Sequence, residues 1–280
     1  MADNKYLAIL YMLISSFMFT IMSILVKYDN RILFVHKVFF RNIITLVVII
    51  IIMRKKKIQF KPSSSRNLVF LINRAVSGFA GVILYFYSVK YLSLSTAAML
   101  NKLSPIFIII IASVFLKEYF KKTYIPVLII VFIGTTLILK PNMTFLFYPA
   151  LAGILSALFS GISYTSIRFL KDKEESEKII FYFAGISSLI ISPSLLFLKS
   201  YDFIQFTILL LIGIFATGGQ YFLTLSFHNF RAGEISLISY SQILLSLFFG
   251  LLLFGEIPDI YSCLGGLLII TGGIIFYQIK

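Results

Sequence analysis

The chain has 280 residues, of which 59% are hydrophobic and 13% charged, with a mean hydropathy of +0.98 and a formal net charge of +14. So little polar surface cannot cover a water-soluble globule, which excludes that class and points to an integral membrane protein. The positive charge alone would suit a nucleic-acid binder, but its placement along the chain argues against one, as the connections show below.

Apolar runs of about 20 residues, the length that crosses a hydrocarbon core, fall near 6–27, 34–53, 68–90, 93–116, 122–140, 148–170, 178–198, 205–228, 232–255 and 259–278. The expected fold is an all-α integral membrane protein with ten transmembrane helices. The first span is too long for a signal peptide and carries its own polar stripe, Ser16, Thr20, Ser23 and Lys27, at spacings of four, three and four. The second contains Arg41 within Phe39-Phe40-Arg41-Asn42. A charge inside a span is costly, so one that stays there faces a cavity or a partner.

In the third span Arg74, Gly78, Gly81, Tyr85 and Ser88 share one helical face. Glycines there admit a close neighbour or a ligand, while a packing seam with a snorkelling arginine is the competing reading. The fourth span opens with Asn101, Lys102, Ser104 and Pro105. Proline removes a backbone donor and frees carbonyls one turn earlier, which a membrane tolerates beside a polar cavity or a buried contact. The sixth span holds Tyr164 and Arg168, and the eighth holds Thr217 and Gln220. The ninth carries Ser239, Gln242, Ser246 and Gly250 at helical spacing.

Residues 74–142 align without a gap on 212–280, placing Gly81 on Gly219, Ser88 on Ser226, Glu118 on Glu256 and Gly134 on Gly272. Under the same shift Asn101 meets Ser239 and Ser104 meets Gln242. A duplicated unit of five spans enters the bilayer in opposite orientations, so the expected organisation is two inverted five-helix repeats, residues 1–143 and 144–280, in one transport domain. Polar patches at equivalent places then meet near a pseudo-twofold axis. Interhelical hydrogen bonding that only ties the spans together is the alternative.

Lys and Arg cluster in alternate connections, with Arg54, Lys55, Lys56, Lys57, Lys61 and Arg66 after the second span, Lys117, Lys121 and Lys122 after the fourth, and Arg168, Lys171, Lys173 and Lys178 after the sixth. The opposite connections carry fewer. This positive-inside distribution predicts cytoplasmic termini and contact with anionic lipid headgroups, with no nucleic-acid partner. The lone cysteine, Cys263, excludes an internal disulfide. His36 and His228 lie far apart, without metal-ligand spacing or a carboxylate pair, so neither an enzyme nor a metal or other cofactor is expected. A channel would more naturally show filter loops or charge rings.

The chain resembles the EamA type of the drug/metabolite transporter superfamily. The resemblance rests on the FFRN run at 39–42, the Arg74–Gly78–Gly81 seam followed by Tyr85-Phe86-Tyr87, the Leu100–Pro105 segment, FATGGQ at 215–220, and the span-end residues Glu118 and Glu256. It implies ten helices, cytoplasmic termini, a multi-pass place in a bacterial cytoplasmic membrane, and a substrate cavity between the halves, with spans 5 and 10 outside the core. The expected function is alternating-access transport of a small polar metabolite: an amino acid, an amino-acid derivative or an S-adenosylmethionine-like compound, anionic or zwitterionic. Export of toxic or amphiphilic compounds, or a channel or uniporter, is the alternative. The first span lacks the carboxylate of small multidrug exporters.

The expected substrate-binding residues are Arg41, Arg74, Tyr85, Asn101, Lys102, Ser104, Tyr164, Gln220, Ser239 and Gln242, with Glu234 as the coupling candidate. Glu118 and Glu256 are read as structural groups at span ends. The oligomeric state is left open, and a monomer suffices.

Overall fold

A computed structural model describes residues 5–115, 125–139, 147–197, 200–229 and 238–278. Its elements are the α-helices α1 (Lys5–Tyr28), α2 (Phe34–Lys56), α3 (Ser65–Tyr91), α4 (Leu94–Asn101), α5 (Ser104–Phe115), α6 (Ile125–Leu139), α7 (Phe147–Leu170), α8 (Ser176–Ile191), α9 (Phe203–Asn229), α10 (Ser241–Phe254) and α11 (Ile260–Gln278). A 3-10 turn, Ser192–Phe197, follows α8. No strand occurs among the described residues. Six segments, covering α1, α2, α3, α7, α8 with its 3-10 turn, and α9, are each long and apolar enough to cross a membrane.

The expected fourth span is not continuous. It breaks at Lys102 and Leu103 into α4 and α5, two residues before Pro105. The ring nitrogen of Pro105 cannot donate to the carbonyl one turn back, so the chain leaves the helix there. A turn at Ser239 and Tyr240 stands just ahead of α10.

Local chemistry fixes the element ends. Ser64 caps α3 by accepting from the Asn67 amide at 3.1 Å, and Ser93 caps α4 by accepting from the Thr96 amide at 3.1 Å. Only Leu92 and Ser93 separate α3 from α4, so the end of one and the start of the other share a level. Gly255 closes α10 in the left-handed conformation, φ +61°, which favours glycine.

The most extensive contacts are α3 on α7 and α1 on α9. Next come α6 on α11, α2 on α8 and on α9, α5 on α7, and α3 on α8; α10 touches both α1 and α4. Two glycines explain the closest approaches. A Cβ at Gly81 would stand 3.3 Å from the Ser156 carbonyl of α7, and one at Gly134 would stand 2.8 Å from the Gly265 carbonyl of α11. Helices α6 and α11 pack mainly on each other, to one side of the remaining helices.

Candidate functional site: a cationic cavity between the helices

Each of the two ends of the helix bundle is tied by charged groups. At the end where α2 finishes and α3 and α8 begin, Glu174 accepts from the Ser63 amide at 2.6 Å, Asn67 Nδ2 at 2.9 Å and Lys178 Nζ at 2.7 Å. Burial pushes the Glu174 carboxyl up, but these donors pull it further down, below the usual carboxylate range. Beside it Glu177 accepts from Lys56 Nζ at 2.7 Å and from the Tyr221 hydroxyl at 3.1 Å.

At the opposite end Glu256 pairs with Lys27 and accepts from the Leu94 amide at 2.7 Å, satisfying a free donor at the start of α4. Lys27 also donates to the Leu92 carbonyl at 2.6 Å. Lys37 donates to the carbonyls of Val26 at 2.5 Å and Asp29 at 2.7 Å, closing the end of α1. In the same connection the Arg31 guanidinium holds the Asp29 carboxyl down to about 2. His36 bonds the Tyr201 hydroxyl and, through Nε2, the Ser194 carbonyl at 3.0 Å.

Between these ends lies a cavity with about 60 Å³ of room for the centres of water-sized spheres. That space holds a few waters and is too small for a metabolite until the walls part. Arg41, Arg74, Tyr85, Asn101, Lys102, Tyr164, Gln220 and Gln242 all line it. Ser104, the first residue of α5, and Ser239, in the turn before α10, are buried and do not line it. Glu234, Glu118 and the side chain of His228 lie outside the described residues.

Residues from distant helices hold the cations. The Arg74 guanidinium donates to Ser163 Oγ at 2.6 Å, and that hydroxyl donates to the Arg74 carbonyl at 3.1 Å. It stacks on Phe183, 4.2 Å from the ring centroid. It also folds back over Gly78, where a Cβ would stand 2.1 Å from Nη1. Arg41 donates to Asn42 Oδ1 at 2.7 Å and stands 5.2 Å from the same Phe183 ring. The Nε atoms of both arginines are buried without a hydrogen-bond partner. No carboxylate pairs with Arg41, Arg74 or Lys102 among the described residues. All three are at least nine-tenths buried, so snorkelling does not explain them.

The neutral lining groups are partly tethered. Tyr85 and Ser23 share a hydrogen bond of 3.0 Å, Asn101 Nδ2 donates to Ser156 Oγ at 3.0 Å, and Gln220 Nε2 reaches Thr224 Oγ1 at 3.3 Å. Elsewhere Thr45 and Thr217 bond each other at 2.8 Å, joining α2 to α9. The stripe in α1 thus divides. Thr20 bonds its own backbone at Ser16, Ser23 holds Tyr85, and Lys27 belongs to the end pair with Glu256. Sequence reasoning missed Phe183 and Ser163. One is among 30 phenylalanines and the other is a lone serine in a span, and neither signal stands out until Arg74 is seen resting on both.

The family model described as the EamA-like transporter family matches residues 6–140 and 147–278. The chain belongs to this family. It is 30% identical to the pseudopaline exporter CntI of Pseudomonas aeruginosa over 97% of this chain and 96% of that protein. It is 25% identical to human solute carrier family 35 member G1, over 96% of this chain and 78% of that one. A solved structure described only as a crystal structure of a protein has the same fold, with a TM-score of 0.68 over 99% of both chains at 16% identity. The chain is therefore a multi-pass membrane transporter of this family, not an enzyme, and its cargo is a small molecule.

Proposed function

We propose that this transporter moves a small polar metabolite, anionic or zwitterionic, across the cytoplasmic membrane by alternating access to the cavity around Arg74. An amino acid or an amino-acid derivative fits that description, whereas an S-adenosylmethionine-like compound would engage these cations only through its carboxylate, because its sulfonium and ammonium leave it net positive. The carrying observation is that buried Arg41, Arg74 and Lys102 share a cavity with neutral amides and hydroxyls and no paired acid among the described residues. Buried charge with no carboxylate beside it among the described residues favours a solute that brings the opposite sign.

In this reading residues 1–143 and 144–280 form two inverted five-span repeats, with α4 and α5 as one broken span and α10 as part of another. Two features support it. The family matches fall in two consecutive blocks. The packing pairs also exchange when each span is swapped for its counterpart five spans away: α3 on α7 becomes α9 on α1, and α2 on α9 becomes α8 on α3. The basic connections support a cytoplasmic location for both termini. The closed ends at Glu174 and Glu256 then act as inner and outer gates that part in turn. A relative named as an exporter favours outward movement. Glu234 is the proposed proton carrier.

Proteoliposomes loaded with radiolabelled amino acids and their derivatives test the reading, with and without an imposed pH gradient. Saturable counterflow is expected, and Glu234→Gln should remove the response to the pH gradient while leaving counterflow intact. Gln242→Ala or Asn101→Ala should weaken binding several-fold with little change in Tm, since each removes roughly 0.5–1.5 kcal/mol of neutral hydrogen bonding. Lost stability with unchanged affinity at both positions would move the site elsewhere.

A further inference from the structure

The cations of the cavity stand at two levels. Arg41 and Arg74 both rest against Phe183, and the Arg74 guanidinium lies over Gly78. Gly78 is 13 residues before the end of α3 at Tyr91, and Lys102 is eight residues after the start of α4 at Leu94, at the same end of the bundle. At 1.5 Å per residue the arginine level and the lysine level are separated by roughly 8 Å along the helix axes. Each level has its own neutral companions. The arginines stand with Ser163 and Tyr164, while Lys102 stands at the α4 break next to Asn101. Among the described residues neither level has a carboxylate partner, and both arginine Nε donors are unsatisfied.

We infer that the cavity takes a solute with two anionic groups several atoms apart, one read by Arg41 and Arg74 and the other by Lys102. This rests on the transporter reading above and narrows its substrate class. A single carboxylate can satisfy only one of the two levels and leaves the other charge buried and uncompensated, whichever end it occupies. A guanidinium pair offers a carboxylate parallel N–H donors in a fixed plane, and the flexible ammonium of Lys102 tolerates either a carboxylate or a phosphate. Phe183 holds both guanidiniums close, so the first anion meets fixed donors while the second is held by charge alone.

Two opposite changes at one residue test this. Lys102→Met keeps the unbranched apolar stem of the side chain and removes a buried charge that has no carboxylate partner among the described residues. It should raise Tm in the absence of solute and weaken binding of a dianion. The probes are a series of α,ω-dicarboxylates from glutarate to sebacate and monocarboxylates of matching length, titrated calorimetrically into the purified full-length protein. The parent should prefer dicarboxylates about tenfold over their monocarboxylate counterparts, with an optimum at intermediate length. Lys102→Met should abolish the preference, and Lys102→Arg should retain it.

Equal binding of mono- and dicarboxylates by the parent, no binding of either, or an unchanged preference in Lys102→Met would overturn the inference. Liposomes that carry only monoanions, zwitterions or cations overturn it too and leave the transporter reading intact. A calorimetric preference for dianions with no movement of any solute class would instead uphold the inference and remove the alternating-access reading proposed above.

Discussion

Residues 1–143 hold 18 Lys and Arg against 3 Asp and Glu, whereas residues 144–280 hold 7 against 8. At both ends of the bundle this division turns into attraction between the halves. Lys56, Asn67 and the Ser63 amide from the first half meet Glu177 and Glu174 of the second, and Lys27 meets Glu256. In the middle it does not. There the first half presents Arg41, Arg74 and Lys102, while the second half answers with Ser163, Tyr164, Gln220, Gln242 and the Phe183 ring. Under the 138-residue shift Arg74 corresponds to Ile212, Tyr85 to Leu223 and Lys102 to Tyr240. The three cations that line the cavity thus all come from residues 1–143, and under the proposed two-repeat reading a site between the halves can bind a solute that has no symmetry of its own.

The comparison breaks most severely if a carboxylate is taken from the second half. The side chains of Glu174 and Lys178 are 0% and 4% exposed. Glu174→Ala leaves Asn67 and the Ser63 amide without their acceptor and Lys178 with only the half-exposed Glu175, and removing one partner of such a buried pair costs up to about 3–5 kcal/mol. A large fall in Tm measured in detergent is the expected outcome. Arg74→Met sharpens the asymmetry from the other side, since it makes the first half as apolar at this position as Ile212 makes the second. Loss of charge-assisted hydrogen bonds worth roughly 1.5–3 kcal/mol predicts a 10- to 100-fold weaker affinity for anionic solutes, read by calorimetry. Tm should hold or rise.

A smaller effect comes from copying the second half into the first at Gly78, whose counterpart is the native Ala216. The added Cβ would meet Arg74 Nη1 at 2.1 Å and Phe183 at 2.9 Å, so Gly78→Ala must push the guanidinium off the ring. Overpacking of this kind costs about 1–3 kcal/mol. Anion affinity should fall more than Tm does, and Ala216→Gly should leave affinity unchanged.

The smallest effect is expected at Asp29, whose partner Arg31 has a side chain 70% exposed. The folded-state carboxyl is depressed to about 2, below its unfolded value, so its contribution is fully present above the unfolded pKa of about 3.9 and is lost as pH falls toward 2. Asp29→Asn should therefore lower Tm slightly and equally at pH 6 and pH 8, and the difference from the parent should vanish only in strong acid. Although Asp29 is buried, its exposed partner Arg31 is screened by solvent, which limits the pair to about 1 kcal/mol.

Much of this was legible in the chain itself. Hydropathy is an average over a window of about 20 residues, so the membrane class and six long apolar helices were legible in the chain, whereas the expected fourth span is broken into α4 and α5. Helical spacing placed Arg74, Gly78, Gly81 and Tyr85 on one face, and all four line the cavity. The repeat alignment drew Asn101 and Gln242 to the same region for the same reason: a polar side chain in a span has few places to go. Ser104 and Ser239 had the same polarity and spacing, yet Ser104 follows the break before α5 and Ser239 sits in the turn before α10, where the 3.6-residue period no longer holds.

What the tertiary structure decided is which charges are answered. Lys27 and Lys102 look alike in sequence, as lysines within apolar runs. One is paired with Glu256, 229 residues away, and the other has no acid beside it among the described residues. Ser163 reaches Arg74 across 89 residues, and Phe183 takes two arginines from two different helices. Periodicity fixes the face of a helix on which a group stands, because that follows from 1.5 Å of rise and 3.6 residues per turn. It does not fix the facing helix or its register, which depend on how side chains from both halves pack together.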